Sequence, residues 1–264
     1  MVLFLFLTHL GLGIMSTLVV VSRDAGVKFF RFNAGLAAGL IAVAFTFRPP
    51  DLEPTTFSRL ALVALLASEA VIVIYWLTVG RTLASIRPAL VGLACGGGLI
   101  TLVSQAMAAT TGGTMDVRVL TVASFLSSTA LLGGASTAMI LGHWYLVIPS
   151  MQVSHLQSIV KMHIASMVIR TVVVTAAVVV AIETWQPGLG PSFGRYITSA
   201  GGIFFWQRVL FGLCGPALLS YLTWETAKIR STQSATGILY VDFFTVVVGE
   251  VLAKYLLLAT RVPV

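Results

Sequence analysis

The stretch GILYVDFFTVVVGEVLAKYLLLA, Gly237–Ala259, runs 23 residues with only three charged side chains, Asp242, Glu250 and Lys254. As an α-helix rising about 1.5 Å per residue it would extend ~35 Å, enough to cross a hydrocarbon core of ~30 Å. Seven more runs resemble it: Val2–Val21, Phe32–Phe47 with its helix starting near Phe29, Leu60–Val79, Pro88–Ala108, Leu120–Ile148, Ser158–Ile182 and Gly202–Trp224. They are continuous rather than alternating, so they read as helices and not as barrel strands. The expectation is an all-α polytopic membrane protein, a bundle of eight transmembrane helices. The loops leave no room for a soluble domain, so residues 1–264 are expected to form one domain.

The bulk composition agrees. Hydrophobic residues make up 58% of the chain and charged residues 9%, with a mean hydropathy of +0.99. The first run lacks a basic leader and a small-residue cleavage site, so it is expected to stay as a helix. Turn chemistry separates the runs. Pro49 and Pro50 follow the second, Pro88 opens the fourth, Gly112 and Gly113 precede the fifth and Pro149 closes it. The longest loop, 183–201, holds Trp185, Pro187, Gly188, Gly190, Pro191 and Tyr196, with its aromatics at the interface. Pro216 should kink the seventh helix near Gly212–Gly215.

The net charge of +7 comes from loop arginines and lysines and implies no nucleic-acid partner. Arg23, Lys28, Arg31, Arg81, Arg87, Lys161, Lys228 and Arg230 fall on one side. Arg48, Arg59, Arg118, Arg195 and Arg261 fall on the other, with Asp51, Glu53, Asp116 and Glu183. The positive-inside rule makes the first side cytoplasmic in a bacterial-type inner membrane and puts both termini outside. Cys95 and Cys214 sit mid-helix and read as free thiols. Gly35 and Gly39 form a G-x-x-x-G pair; Gly92, Gly96, Gly97, Gly98, Gly133 and Gly134 line two other helices. Such faces suit close packing, or a flat ligand such as a haem or quinone.

Ten ionisable side chains lie inside the runs, and a charge there is a functional-site hypothesis by default. Depth along each helix sorts them. His9, Glu69, Glu250, Arg208 and Lys254 form an outer layer of two acids, two bases and an imidazole, nearly balanced in charge. Glu250 and Lys254, spaced i,i+4, can bridge within one helix. Arg170 lies near the midplane, and Asp242 borders the Glu250 face. In the inner layer, His143 and His163 are equidistant from Val153, the expected centre of the hairpin between helices 5 and 6. Matching depth is what bis-histidine ligation of haem b requires, so the two are candidate haem ligands. A polar contact, a quinone contact and plain structural placement remain open for them. His155 is expected in the loop, in water.

No phosphate loop, nucleophile elbow, Cys-x-x-Cys or metalloprotease motif occurs, so the chain is expected to be non-catalytic alone. Two classes remain. One is a membrane subunit of a redox complex that handles quinol. Glu69, Glu250 and His9 would accept its protons, while Arg208, Lys254 and Arg170 serve as quinone or charge partners. The other is a secondary transporter or proton channel, although no inverted repeat shows. A scaffold subunit of a respiratory or photosynthetic complex is a third reading.

The eight-helix plan, Gly249-Glu250 with Lys254 four residues on, and the opening Thr232-Gln233-Ser234-Ala235-Thr236-Gly237 resemble the membrane anchors of molybdopterin oxidoreductases. These are the dimethyl sulfoxide reductase anchor and NrfD-type families. The likeness covers mainly the helix plan and residues 224–259. It implies a site for menaquinone or ubiquinone within the bundle and a partner carrying iron–sulfur clusters or a cytochrome. No family residue is carried over to a position here. The expected function is therefore a quinol or quinone site and proton path within an electron-transfer complex.

Overall fold

Local chemistry marks several of the helix ends. Thr55 accepts the Ser58 N–H at 3.1 Å to open one helix, Pro88 occupies the first turn of another, and Gly112 turns the chain at φ +83°. In the computed structural model, which describes residues 1–50, 54–81, 84–147, 153–184 and 192–264, all regular structure is helical. Asp51, Glu53, Ile148, Pro149, Trp185, Pro187, Gly188, Gly190 and Pro191 lie outside the described residues.

The helices are α1 (Val2–Thr17), α2 (Gly26–Thr46), α3 (Thr56–Thr78), α4 (Arg87–Ala109), α5 (Met115–Val147) and α6 (Val153–Glu183). Then come α7 (Phe193–Thr198), α8 (Ile203–Val209), α9 (Gly215–Lys228) and α10 (Thr232–Thr260). Among the described residues seven segments are long and apolar enough to span a membrane, α8 and α9 together forming one of them. The protein is an all-α, multi-pass membrane protein.

The first helix is shorter than the apolar run that holds it. α1 ends at Thr17 after 16 residues, about 24 Å, and residues 18–20 leave the helix as a turn. It is also heavily enclosed: α2, α4, α5 and α10 all pack on it. The α5 contact is a parallel crossing. A β-carbon on Gly13 would run into the Thr129 carbonyl, and one on Gly133 into the Gly13 backbone. One turn on, the hydroxyls of Thr17 and Thr137 hydrogen-bond at 2.5 Å. α4 runs antiparallel to α1, with Gly98 against Leu12.

The G-x-x-x-G pair of α2 is not a helix crossing. Gly35 receives the Trp76 indole, and Gly39, like Gly92 and Gly96, faces open space. The kink expected near Pro216 takes the form of a π-helical turn, Leu210–Cys214, in which the Gly215 N–H reaches back to the Leu210 carbonyl. A wider turn absorbs the carbonyl that proline leaves without its usual N–H.

Two ends of the bundle follow. Met1, Arg48, Thr55 and Ala109 share one, here the Met1 face. Arg23, Val79, Arg87, Lys228 and Thr232 lie at the opposite helix ends, the Arg23 face. There Arg31 donates to the Val79 carbonyl, and Lys161 and Lys228 sit 5.2 and 5.4 Å from the Trp224 ring centre. His155 lies in the first turn of α6, not in a loop, with Nε2 3.1 Å from Asp24 Oδ2.

Candidate functional site

α10 carries two acids eight residues apart, Asp242 and Glu250, and α6 carries two bases seven apart, His163 and Arg170. The helices run parallel, so each acid meets one base. His163 Nε2 is 2.7 Å from Asp242 Oδ2. Arg170 grips Glu250 with both arms, Nε to Oε1 at 2.9 Å and Nη2 to Oε2 at 3.1 Å. Two levels result, ~12 Å apart along α10.

The Glu250 level is the more heavily charged. Arg208 Nη2 donates to Oε1 at 3.0 Å, and Lys254 Nζ stands 3.7 Å from Oε2, the bridge expected from i,i+4 spacing. Ser124 and Ser128, one turn apart on α5, and the Val264 backbone oxygen add to the shell: Arg170 Nη1 donates to Ser124 Oγ at 2.8 Å, Arg170 Nη2 to Val264 O at 3.2 Å and Lys254 Nζ to Ser128 Oγ at 2.7 Å. All four charged side chains are buried, at 0–2% exposure. Glycine makes the room. Gly212 of the π turn meets Gly249 backbone to backbone, and a β-carbon on Gly212 would displace the Arg208 guanidinium.

Glu69 is not part of this cluster. It is half-buried on α3, whose main neighbours are α2 and α4, and its Oε2 has no hydrogen-bond partner among the described residues. The expected near-balance of charge is thereby corrected: among side chains, three cations face one carboxylate. Glu250 also has both oxygens occupied by cationic donors, which leaves it an anchor rather than an open proton acceptor. Buried charges require such pairing.

His9 stands beside the cluster. Its ring packs edge-to-face on Phe125, centroids 4.7 Å apart, and Lys254 Nζ lies 5.2 Å from the centre of the same Phe125 ring. Phe125 is thus shared by the imidazole and the ammonium. His9 is fully buried, yet neither ring nitrogen has a hydrogen-bond partner among the described residues. Gln105 faces it from α4, and Gln105 Oε1 is likewise without a hydrogen-bond partner among the described residues. Gln105 also lines a cavity of about 270 Å³ open at the Met1 face, together with Phe4, Leu5, Arg48 and Ser58. A line of groups thus runs from that cavity through Gln105 and His9 to Phe125 and the Glu250 cluster.

His143 and His163 are not brought together. His163 lies against Gly134, so His143 is nine residues, ~13 Å, nearer the Arg23 face. Gly134, not His143, is thus the residue level with His163, so the register of α5 on α6 differs from one centred on Val153. His143 is exposed and turns to Tyr240, Nδ1 to hydroxyl 3.0 Å. Among the described residues no group of three or more His, Cys, Asp or Glu converges as a metal site.

Sequence reasoning did not find the roles of Ser124, Ser128, Phe125 and Gln105, nor the His163–Asp242 pair. Only the last had a signal, the matched base and acid spacing of α6 and α10. No protein-family model matches this chain, and no curated protein or solved structure matches it.

Proposed function

We propose that this protein is the integral membrane subunit of an electron-transfer complex and binds a quinol or quinone in the cavity at the Met1 face. What carries the proposal is His9: a fully buried imidazole with both nitrogens unpartnered among the described residues, next to Gln105, which lines that cavity and whose Oε1 is also unpartnered. An unmet buried donor or acceptor costs about 1–3 kcal/mol, which a ligand offering a carbonyl or hydroxyl would recover. A quinol fits this need, because its two hydroxyls donate and the quinone carbonyls accept.

Oxidation of the quinol releases two protons and two electrons. His9 accepts one proton on a ring nitrogen, the other leaves to water through the cavity mouth at the Met1 face, and Gln105 orients the ring. The electrons pass to a redox-active partner subunit, iron–sulfur or cytochrome. The Glu250 cluster, with its excess of cations beside Phe125, favours the more anionic forms of the bound ring electrostatically. The Arg23 face, with its arginines and lysines, is the cytoplasmic side of a bacterial-type inner membrane, and both termini lie outside.

The test is binding of decylubiquinone and a short-chain menaquinone to the purified full chain, compared with His9→Ala and Gln105→Leu. Affinity should fall about tenfold in each, the loss of one hydrogen bond to a buried group. Equal binding in both variants would overturn the proposal. Proton flux through proteoliposomes without any quinone would point to a transporter or channel instead.

A further inference from the structure

Glu69 is the fourteenth residue of the 23-residue α3, within about 3 Å of the helix middle and so far from either aqueous face. Nothing in the bundle neutralises it. Among the described residues it forms neither an ion pair nor a hydrogen bond. The bases on α3 and on its main neighbours, α2 and α4, are Lys28, Arg31, Arg59 and Arg87, each within the first six residues of its helix. A carboxyl group at this depth ordinarily faces the bundle interior and pairs with an opposite charge.

Glu69 instead stands at the outer surface. Its Oε2 is enclosed without a partner, so Oε1 is the oxygen left accessible. Leu66, Glu69, Val73 and Trp76 follow one another at three, four and three residues, and Leu66 and Trp76 are 50% and 40% exposed. That alternation keeps the four side chains on one face, the spacing of a seam made against another helix. The α2 side of this seam is bare. Trp76 covers Gly35, but one turn nearer the Met1 face, between the levels of Trp76 and Glu69, Gly39 is exposed and a β-carbon on it would meet nothing. A notch thus opens to the lipid along a face that carries an uncompensated acid.

We propose that this face docks a transmembrane helix of another subunit, one that carries a lysine or arginine near its own middle. The base pairs with Glu69 Oε1, and the helix lies over Gly39, where no side chain keeps it away. Charge selects the occupant. A lipid tail brings no counter-charge. A second copy of this chain would bring a second carboxyl group, because its own deeply embedded bases Arg170, Arg208 and Lys254 are enclosed around Glu250. The surface is separate from the cavity at the Met1 face and does not depend on a quinone.

The experiment uses the purified full chain in phosphatidylcholine liposomes. The probe is a synthetic leucine–alanine helix of about 20 residues with one central lysine. Association is read by energy transfer between dyes on the two, against the same helix with leucine in place of the lysine. The lysine helix should bind about tenfold tighter than the leucine helix, and Glu69→Gln should make the two equal. Gly39→Phe should weaken binding of the lysine helix while leaving the acid in place. Dicyclohexylcarbodiimide, which enters from the lipid, should join the Glu69 carboxyl to the probe amine as an amide, taking up the released water as dicyclohexylurea. Mass spectrometry locates the product. Equal binding of both helices to the wild type would overturn the proposal and leave Glu69 a lone protonated acid at the lipid surface. A Glu69 that the carbodiimide does not modify would sink it too, because the carboxyl would be out of reach. Pairing of the chain with itself that is lost in Glu69→Gln would refute it in favour of a second copy.

Discussion

Arg170 and Glu250 face each other across α6 and α10 in a two-armed ion pair, at 2.9 and 3.1 Å, with both side chains fully buried. Neither residue has solvent to fall back on. The pair therefore decides how the other charges around it are tolerated.

Removing the acid should be far worse than removing a base. Glu250→Gln leaves Arg170, Arg208 and Lys254 facing one another without a counter-charge, and breaking a buried pair costs about 3–5 kcal/mol. Lys254→Met removes one of the surplus cations, and we expect a change within about 1 kcal/mol. Thermal unfolding of the two variants in the same detergent checks the contrast. Equal destabilisation would mean that Lys254 is as necessary as the carboxylate.

The His163–Asp242 contact at 2.7 Å should behave as one unit. Asp242→Ala strands a buried imidazole nitrogen and is expected to cost about 1.5–3 kcal/mol. In the double variant with His163→Ala, the combined loss should fall short of the sum. A double-mutant cycle measures the coupling, and strict additivity would show that the two side chains do not interact.

Glycines divide by what stands opposite them. Gly13→Ala and Gly133→Ala each push a methyl into backbone and should destabilise by about 1–3 kcal/mol. Gly39→Ala and Gly96→Ala meet nothing and should be neutral or gain up to about 1 kcal/mol of helix stability. Unfolding midpoints of all four, side by side, test the α1–α5 crossing.

The orientation proposed above makes a labelling prediction. In a background lacking Cys95 and Cys214, Gly112→Cys at the Met1 face should react with an impermeant thiol reagent added to intact spheroplasts. Arg230→Cys should react only after lysis. The reverse pattern would place the Arg23 face outside.

The helical class, the succession of apolar spans and the distortion near Pro216 were all legible, because apolar length and missing N–H groups are properties of a single segment. The Glu250–Lys254 bridge was legible for the same reason, as spacing on one helix. The pairing of His143 with His163 failed because depth was counted from an assumed loop centre, and a hairpin shifted by a few residues moves two histidines apart by whole turns. Glu69 was grouped with Glu250 on depth alone. Depth says nothing about azimuth, and α3 packs mainly on α2 and α4 rather than on α10. Gln105, Ser124 and Ser128 carry no charge to draw the eye, and their roles exist only once neighbouring helices are in place.

α1 is synthesised before every helix that encloses it. Until α5 and α10 have been made, Thr8 and His9 lack part of their covering wall, and a 16-residue helix of about 24 Å falls short of a ~30 Å hydrocarbon core. The ribosome thus delivers the centre of this protein well ahead of its surroundings. Assembly is consequently a problem of waiting: α1 must be sheltered, by the insertion machinery or by α2 alone, until the last helix arrives to close around it.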